Sequence, residues 1–242
     1  LSASADPLYF YVYNLRQGYP YLYYTLSAIT IIFMIAVPIL TMRSFAEDRK
    51  NKTDQLMLTA PVPVAKVVLG KYLAMLAVFT VDIAVFCVTP LILRAFGTIP
   101  MGESYIAILA FWLYGAASIA VGMFISALTE SQVIAAVLTF VVLFISYMMQ
   151  SLTGLISSDG NWLTKILNGL DLYAPFEKFQ GGCLDITAIL YYVTVIVLFN
   201  FFTVQAIQKR RWSISKKTFS LSVFSSSFIV VVFALAVVSN LA

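Results

Sequence analysis

Two groups of residues in this 242-residue chain have side chains that could do chemical work. The first is a polar island, Met42-Arg43-Ser44-Phe45-Ala46-Glu47-Asp48-Arg49-Lys50-Asn51-Lys52-Thr53-Asp54-Gln55-Leu56, which runs on to Pro61 and carries seven charged side chains between apolar stretches. The second is Asp82, an acid deep inside an apolar segment. The sequence has no histidine, which excludes a histidine-ligated zinc and a serine–histidine triad. No G-x-x-x-x-G-K-[ST] loop is present to cradle nucleotide phosphates, and Gly70-Lys71, the nearest echo, lacks the glycine loop before it. Glu177 and Asp185 are carboxylates with no base or nucleophile beside them. The chain is therefore expected to have no catalytic, cofactor-binding or metal-binding residues of its own.

Composition sets the elements that must position these groups. With 61% hydrophobic and 11% charged residues and a mean hydropathy of +0.93, the chain reads as a membrane protein. A hydrocarbon core of about 30 Å needs about 20 apolar residues in a helix. Six stretches qualify: Leu22–Met42, Val67–Leu93, Tyr105–Leu128, Val133–Leu152, Ile186–Ile207 and Phe219–Leu241. The expected fold is all-α, a polytopic helix bundle with six visible transmembrane helices. The chain opens on Leu1 and a tyrosine-rich run from Tyr9 to Tyr24, which reads as an interfacial belt. One further helix is expected before residue 1.

Lysine and arginine in short loops set orientation, because they are retained on the cytoplasmic side. Arg43, Arg49, Lys50, Lys52, Lys66 and Lys71 cluster in one loop, and Lys209, Arg210, Arg211, Lys216 and Lys217 in another of the same parity. Loops 43–66 and 208–217 are thus expected in the cytoplasm, with the turn Thr129-Glu130-Ser131-Gln132. Residues 1–21, the turn Arg94–Ser104 and the segment 153–185 are expected outside. That topology separates Cys87 from Cys183 in depth and argues against a disulfide between them. The net charge of +4 follows from orientation and contact with anionic lipid, and no basic–aromatic interleaving points to nucleic acid.

Within the island, Ser44-Phe45-Ala46-Glu47 matches a capping box, Glu47 and Asp48 suit the positive end of a helix dipole, and Pro61 and Pro63 supply a stop. The expectation is a cytoplasmic helix of roughly three turns, with Leu56, Met57 and Leu58 on it; the alternative is a solvated loop that merely obeys the charge rule. Asp82 reads either as part of a pathway or as a carboxylate satisfied by neighbouring hydroxyls such as Thr80. Gly115, Ser118, Gly122 and Ser126 share one helix face and point to close packing, within the chain in preference to a dimer or substrate-path face. Pro38 and Pro90 allow kinks. Asn161-Trp162-Leu163 and Ile166-Leu167-x-x-Leu170 read as short amphipathic helices at the outer interface.

Three stretches together carry a family resemblance. Arg43-x-Phe45-Ala46-Glu47-Asp48-Arg49-Lys50-x-x-Thr53-x-x-Leu56-Met57-Leu58-Thr59-Ala60-Pro61-Val62 is followed by Val68-Leu69-Gly70-Lys71-Tyr72. Ser126-x-Leu128-Thr129-Glu130-Ser131-Gln132 is the second, and Phe176-Glu177-x-Phe179-x-x-Gly182-x-x-Asp185 with Tyr191-Tyr192 and Lys209-Arg210-Arg211-Trp212 the third. The set resembles ABC-2-type transporter permeases, most closely their gliding-motility-type branch. The pattern departs at Lys52, where a glycine is usual, and at Asp54 and Gln55. The resemblance implies a bacterial plasma-membrane permease subunit, residues 1–212, that couples ATP hydrolysis on a separate subunit to export. It implies that ATP and Mg are bound by that ATP-binding cassette subunit and that a second permease protomer completes the transporter. By the same resemblance, Arg43, Phe45, Glu47, Asp48, Arg49, Thr53, Leu56, Leu58 and Pro61 form the coupling helix, and Phe176, Glu177, Phe179 and Gly182 belong to an outer gate. Residues 213–242 resemble the opening anchor of an auxiliary subunit, here fused, with an extracytoplasmic domain expected beyond it. The competing reading is a motor scaffold that transmits force to an extracytoplasmic partner without moving solute. An ion-driven carrier would call for inverted repeats and paired buried charges, and neither is visible.

Overall fold

A computed structural model describes residues 22–51, 62–94, 101–156, 171–179 and 186–211. Its helices are α1 (Leu22–Thr41), α2 (Ala46–Lys50), α3 (Val64–Phe86), α4 (Thr89–Arg94), α5 (Met101–Leu128), α6 (Gln132–Ile156), α7 (Ala174–Lys178) and α8 (Ile186–Arg211). Among the described residues there is no strand, and the fold is all-α. Among these residues five helical segments are long and apolar enough to cross a membrane. The expected sixth span, Phe219–Leu241, lies outside the described residues, as do 1–21, 52–61 and the two proposed amphipathic stretches before residue 171.

The bundle is built around α5, which α1, α3, α6 and α8 all pack against. Its sequence explains why: Gly115, Ala116, Ala117, Ser118, Ala120, Gly122, Ser126 and Ala127 are all buried, and small side chains let neighbouring backbones come close. A Cβ on Gly115 would collide with the Phe79 ring of α3 and sit 3.0 Å from Phe33 of α1. A Cβ on Gly122 would collide with the Thr41 side chain of α1. The small-residue face is thus occupied by this chain's own helices. Because Phe33 meets Gly115 and Thr41 meets Gly122, α1 and α5 run parallel. The outer helices turn apolar side chains such as Val81, Val133 and Val197 outward, as helices facing lipid do.

The second expected span, Val67–Leu93, is interrupted after Phe86 and restarts as α4. Pro90 is the cause, since it has no N–H to give the Phe86 carbonyl. The Thr89 hydroxyl donates to that carbonyl instead, at 2.7 Å. A broken membrane helix survives when a side chain takes over the freed backbone group in this way. At Pro38, by contrast, α1 continues unbroken to Thr41.

Gly115→Ala is expected to lower stability by about 1–3 kcal/mol, the usual cost of overpacking a filled site. Gly70→Ala, where an added Cβ meets nothing within 4 Å, is expected to leave it unchanged or slightly raised. Thermal unfolding of both variants in detergent checks the contrast, and equal midpoints would contradict this packing.

Candidate functional site

The polar island begins where α1 ends. Thr41 returns its hydroxyl to the Val37 carbonyl at 2.9 Å, and the chain turns with the Ser44 N–H donating to the Thr41 carbonyl at 3.0 Å. Helix α2 then starts, with four backbone N–H groups at its head that need acceptors. The capping box expected from Ser44 and Glu47 does not form. Phe45 is the N-cap residue without a side-chain cap, and the Ser44 hydroxyl is buried with no partner among the described residues. The acceptor comes from α5: Ser126 Oγ accepts from the N–H groups of Phe45 and Ala46, each at 3.2 Å. It donates in turn to the Met42 carbonyl at 3.2 Å.

The exchange is reciprocal. Helix α5 ends at Leu128, leaving carbonyls and the negative end of its dipole exposed. Arg49 of α2 donates to the Ala127 carbonyl at 3.3 Å and to Glu130 Oε1 at 2.9 Å. The Arg49 side chain is 12% exposed and that of Glu130 is 81% exposed. The ion pair itself therefore contributes on the order of 0–1 kcal/mol, and the capped carbonyl matters more. From the other side, Lys71 of α3 donates to the Ser44 carbonyl and to Asp48 Oδ2, with its ammonium 4.5 Å from the centre of the Phe45 ring. Phe45 is buried, so the cation lies against an aromatic face inside the junction.

The structure thus joins two of the sequence motifs, the island and the turn at Glu130, and separates the expected coupling residues by direction. Phe45, Asp48 and Arg49 face the bundle, Glu47 is half-buried, and Arg43 and Lys50 are exposed. Thr53, Leu56, Leu58 and Pro61 lie outside the described residues. Lys71, Ser126 and Glu130 stand in the matched motifs, yet no local pattern marks them as the residues that hold the island.

The third motif forms a second polar junction, farther along α5. Phe176 and Phe179 are buried, and Glu177 is half-buried; Gly182 lies outside the described residues. Tyr114 of α5 contacts Tyr173 and Phe176, with ring centres 6.3 and 6.2 Å apart, and Tyr147 of α6 lies 4.8 Å from Tyr173. Buried non-helical backbone must find its partners in protein. The Leu172 N–H donates to Ser146 Oγ at 2.9 Å, and its carbonyl accepts from the Tyr192 hydroxyl at 2.8 Å. Asp171 Oδ1 accepts from the N–H groups of Tyr173 and Ala174 and so starts α7. Burial pushes the Asp171 carboxyl above its usual range; the Ala174 and Tyr173 donors pull it back, and the Glu177 charge adds to the rise. The two amphipathic stretches expected in this connection lie outside the described residues. The described part, 171–179, is wedged between α5, α6 and α8, with Asp171 turned to its own backbone.

Asp82 is half-buried on α3. The suggested hydroxyl partner is engaged elsewhere: Thr80 gives its hydrogen to the Leu76 carbonyl at 2.7 Å and accepts from the Trp112 indole at 3.0 Å. Among the described residues no group of three or more acids and cysteines could hold a metal ion.

Ser126→Ala removes one acceptor shared by two buried N–H groups and is expected to cost about 1–3 kcal/mol, read as a lower unfolding midpoint. Asp171→Asn keeps the Oδ1 acceptor but cannot ionise. Since the folded carboxyl titrates above its usual value, its stabilising contribution is present at low pH and lost as pH rises through the folded value. Measured against Asp171→Asn, the wild-type midpoint should fall as pH rises above the ordinary carboxylate range, and parallel pH curves would refute it. A family model for ABC-2 family transporter proteins matches residues 6–181, whereas no curated protein and no solved structure matches the chain.

Proposed function

The chain belongs to the ABC-2 family of transporter proteins, and from that premise we propose how its parts divide the work. It is a multi-pass membrane protein, a permease subunit of an ABC transporter. In the proposed scheme ATP and Mg are bound by a separate ATP-binding cassette subunit on the cytoplasmic side, and this chain contributes no catalytic group. Two permease protomers, alike or different, enclose the path, and the system exports its cargo across a bacterial plasma membrane. On its motifs the chain sits closest to the gliding-motility-type branch, with residues 213–242 as an added anchor.

The observation that carries the coupling scheme is the reciprocal capping between α2 and α5. A segment meant to pass motion inward must be fixed at its bundle side and free at its partner side. Ser126, Arg49 and Lys71 supply the fixing. Arg43 and Lys50 point away and are offered to the ATP-binding subunit, together with Thr53, Leu56, Leu58 and Pro61. Closure of two ATP-binding subunits then displaces α2, and α2 carries α5 with it, a two-state element biased by nucleotide. The buried Phe176, which meets Phe111 and Tyr114 of the same central helix, and the buried Phe179 beside it are the proposed outer gate.

Leu56→Asp and Leu58→Asp are expected to abolish the ATPase stimulation that this chain confers on its ATP-binding subunit, with membrane insertion preserved. Unchanged stimulation in correctly inserted variants would sink the coupling assignment.

A further inference from the structure

Helices α1 and α3 both lean on α5 and touch each other where the Phe33 and Phe79 rings meet, 5.0 Å apart between centres. The space between them is a slot of about 240 Å³, walled by Phe33 and Val37 of α1 and by Phe79 and Ile83 of α3, with Phe111 of α5 as its floor. Ile39 and Val78, 46% and 55% exposed, border it on the outer side, so it opens sideways from the bundle. For a chain that spans a membrane, that direction is lipid. Asp82 lines this otherwise apolar slot.

Depth gives the carboxylate its meaning. Lys71 meets the polar island through Ser44 and Asp48 and so marks the polar end of α3. Asp82 is eleven residues farther along the same helix, about 16 Å at 1.5 Å per residue. That is close to the middle of a hydrocarbon core about 30 Å thick. A carboxylate at that level is costly and marks a functional site by default. A bilayer phospholipid keeps its own headgroup at the interface and cannot bring a cation to this depth. A single-chain amine can, because its whole length is free to enter the slot.

We propose that the α1–α3 slot binds single-chain cationic amphiphiles from the membrane, with the ammonium on Asp82 and the alkyl chain along Phe33 and Phe79. The aromatic faces add attraction for the cation as it passes. Asp82 also interacts within the protein, and the site needs only its place on the slot wall. Binding is a property of this chain alone, so its failure and a failure of ATP coupling would be told apart.

The test uses the full chain in nanodiscs of zwitterionic phosphatidylcholine, with radiolabelled dodecylammonium and dodecanol as probes. Saturable dodecylammonium binding is expected in the wild type, with at least a tenfold loss in Asp82→Asn. Ala36→Trp, which fills the slot from α1 and leaves the acid in place, is expected to give the same loss with an unchanged melting midpoint. It also carries the test if Asp82→Asn does not fold. Dodecanol should bind weakly and equally to wild type and Asp82→Asn. No binding above empty nanodiscs, wild-type affinity in either folded variant, or equal affinity for amine and alcohol would each overturn the site.

Discussion

A helix that ends at the edge of a low-dielectric bundle leaves backbone groups that must be satisfied, and this constraint shapes the whole polar end of the protein. Helix α2 has too few residues to cap itself, and α5 ends where its last carbonyls need donors. Each solves the other's problem: Ser126 of α5 caps the start of α2, and Arg49 of α2 caps the end of α5. Neither element is complete without the other. An isolated five-residue helix would not persist in water, so α2 exists because the junction makes it. Lys71 closes the third side, fixing the turn before α2 to α3.

The same rule governs the other irregular places. At Pro90 a threonine hydroxyl takes the carbonyl that proline abandons. At Leu172 a serine and a tyrosine from two different helices take both backbone groups of one residue. Asp171 does the work of a helix start. Several polar side chains of a very apolar sequence are thus placed where the backbone is broken. What remains charged and outward, Arg43 and Lys50 above all, is then free to meet something else.

Much of the frame was legible in the sequence because the span rule rests on length and hydropathy. Four of the expected segments coincide closely with α1, α5, α6 and α8. The small-residue face of α5 was legible too, since Gly115 and Gly122 announce close approach. The capping of α2 was not. Ser44 had the right type and spacing, but Ser126 stands 80 residues from Ala46 and wins through tertiary placement that a local pattern does not carry. Arg49 and Glu130 were each visible as charged members of a motif, and their pairing across 81 residues was not. The burial of Asp171, Leu172, Tyr173, Phe176 and Phe179 was not legible, because a connection carries no periodic pattern that says which of its side chains turn inward.

The two glycine notches on α5 have a mechanical meaning. Phe33 and Thr41 of α1 act as pegs in Gly115 and Gly122, two helical turns apart. Two pegs in two notches take away the freedom of α1 to slide along α5 or to roll over it. Phe79 of α3 shares the Gly115 notch with Phe33, so the three helices are keyed to one another at that level and a sliding α1 would have to drag α3 with it.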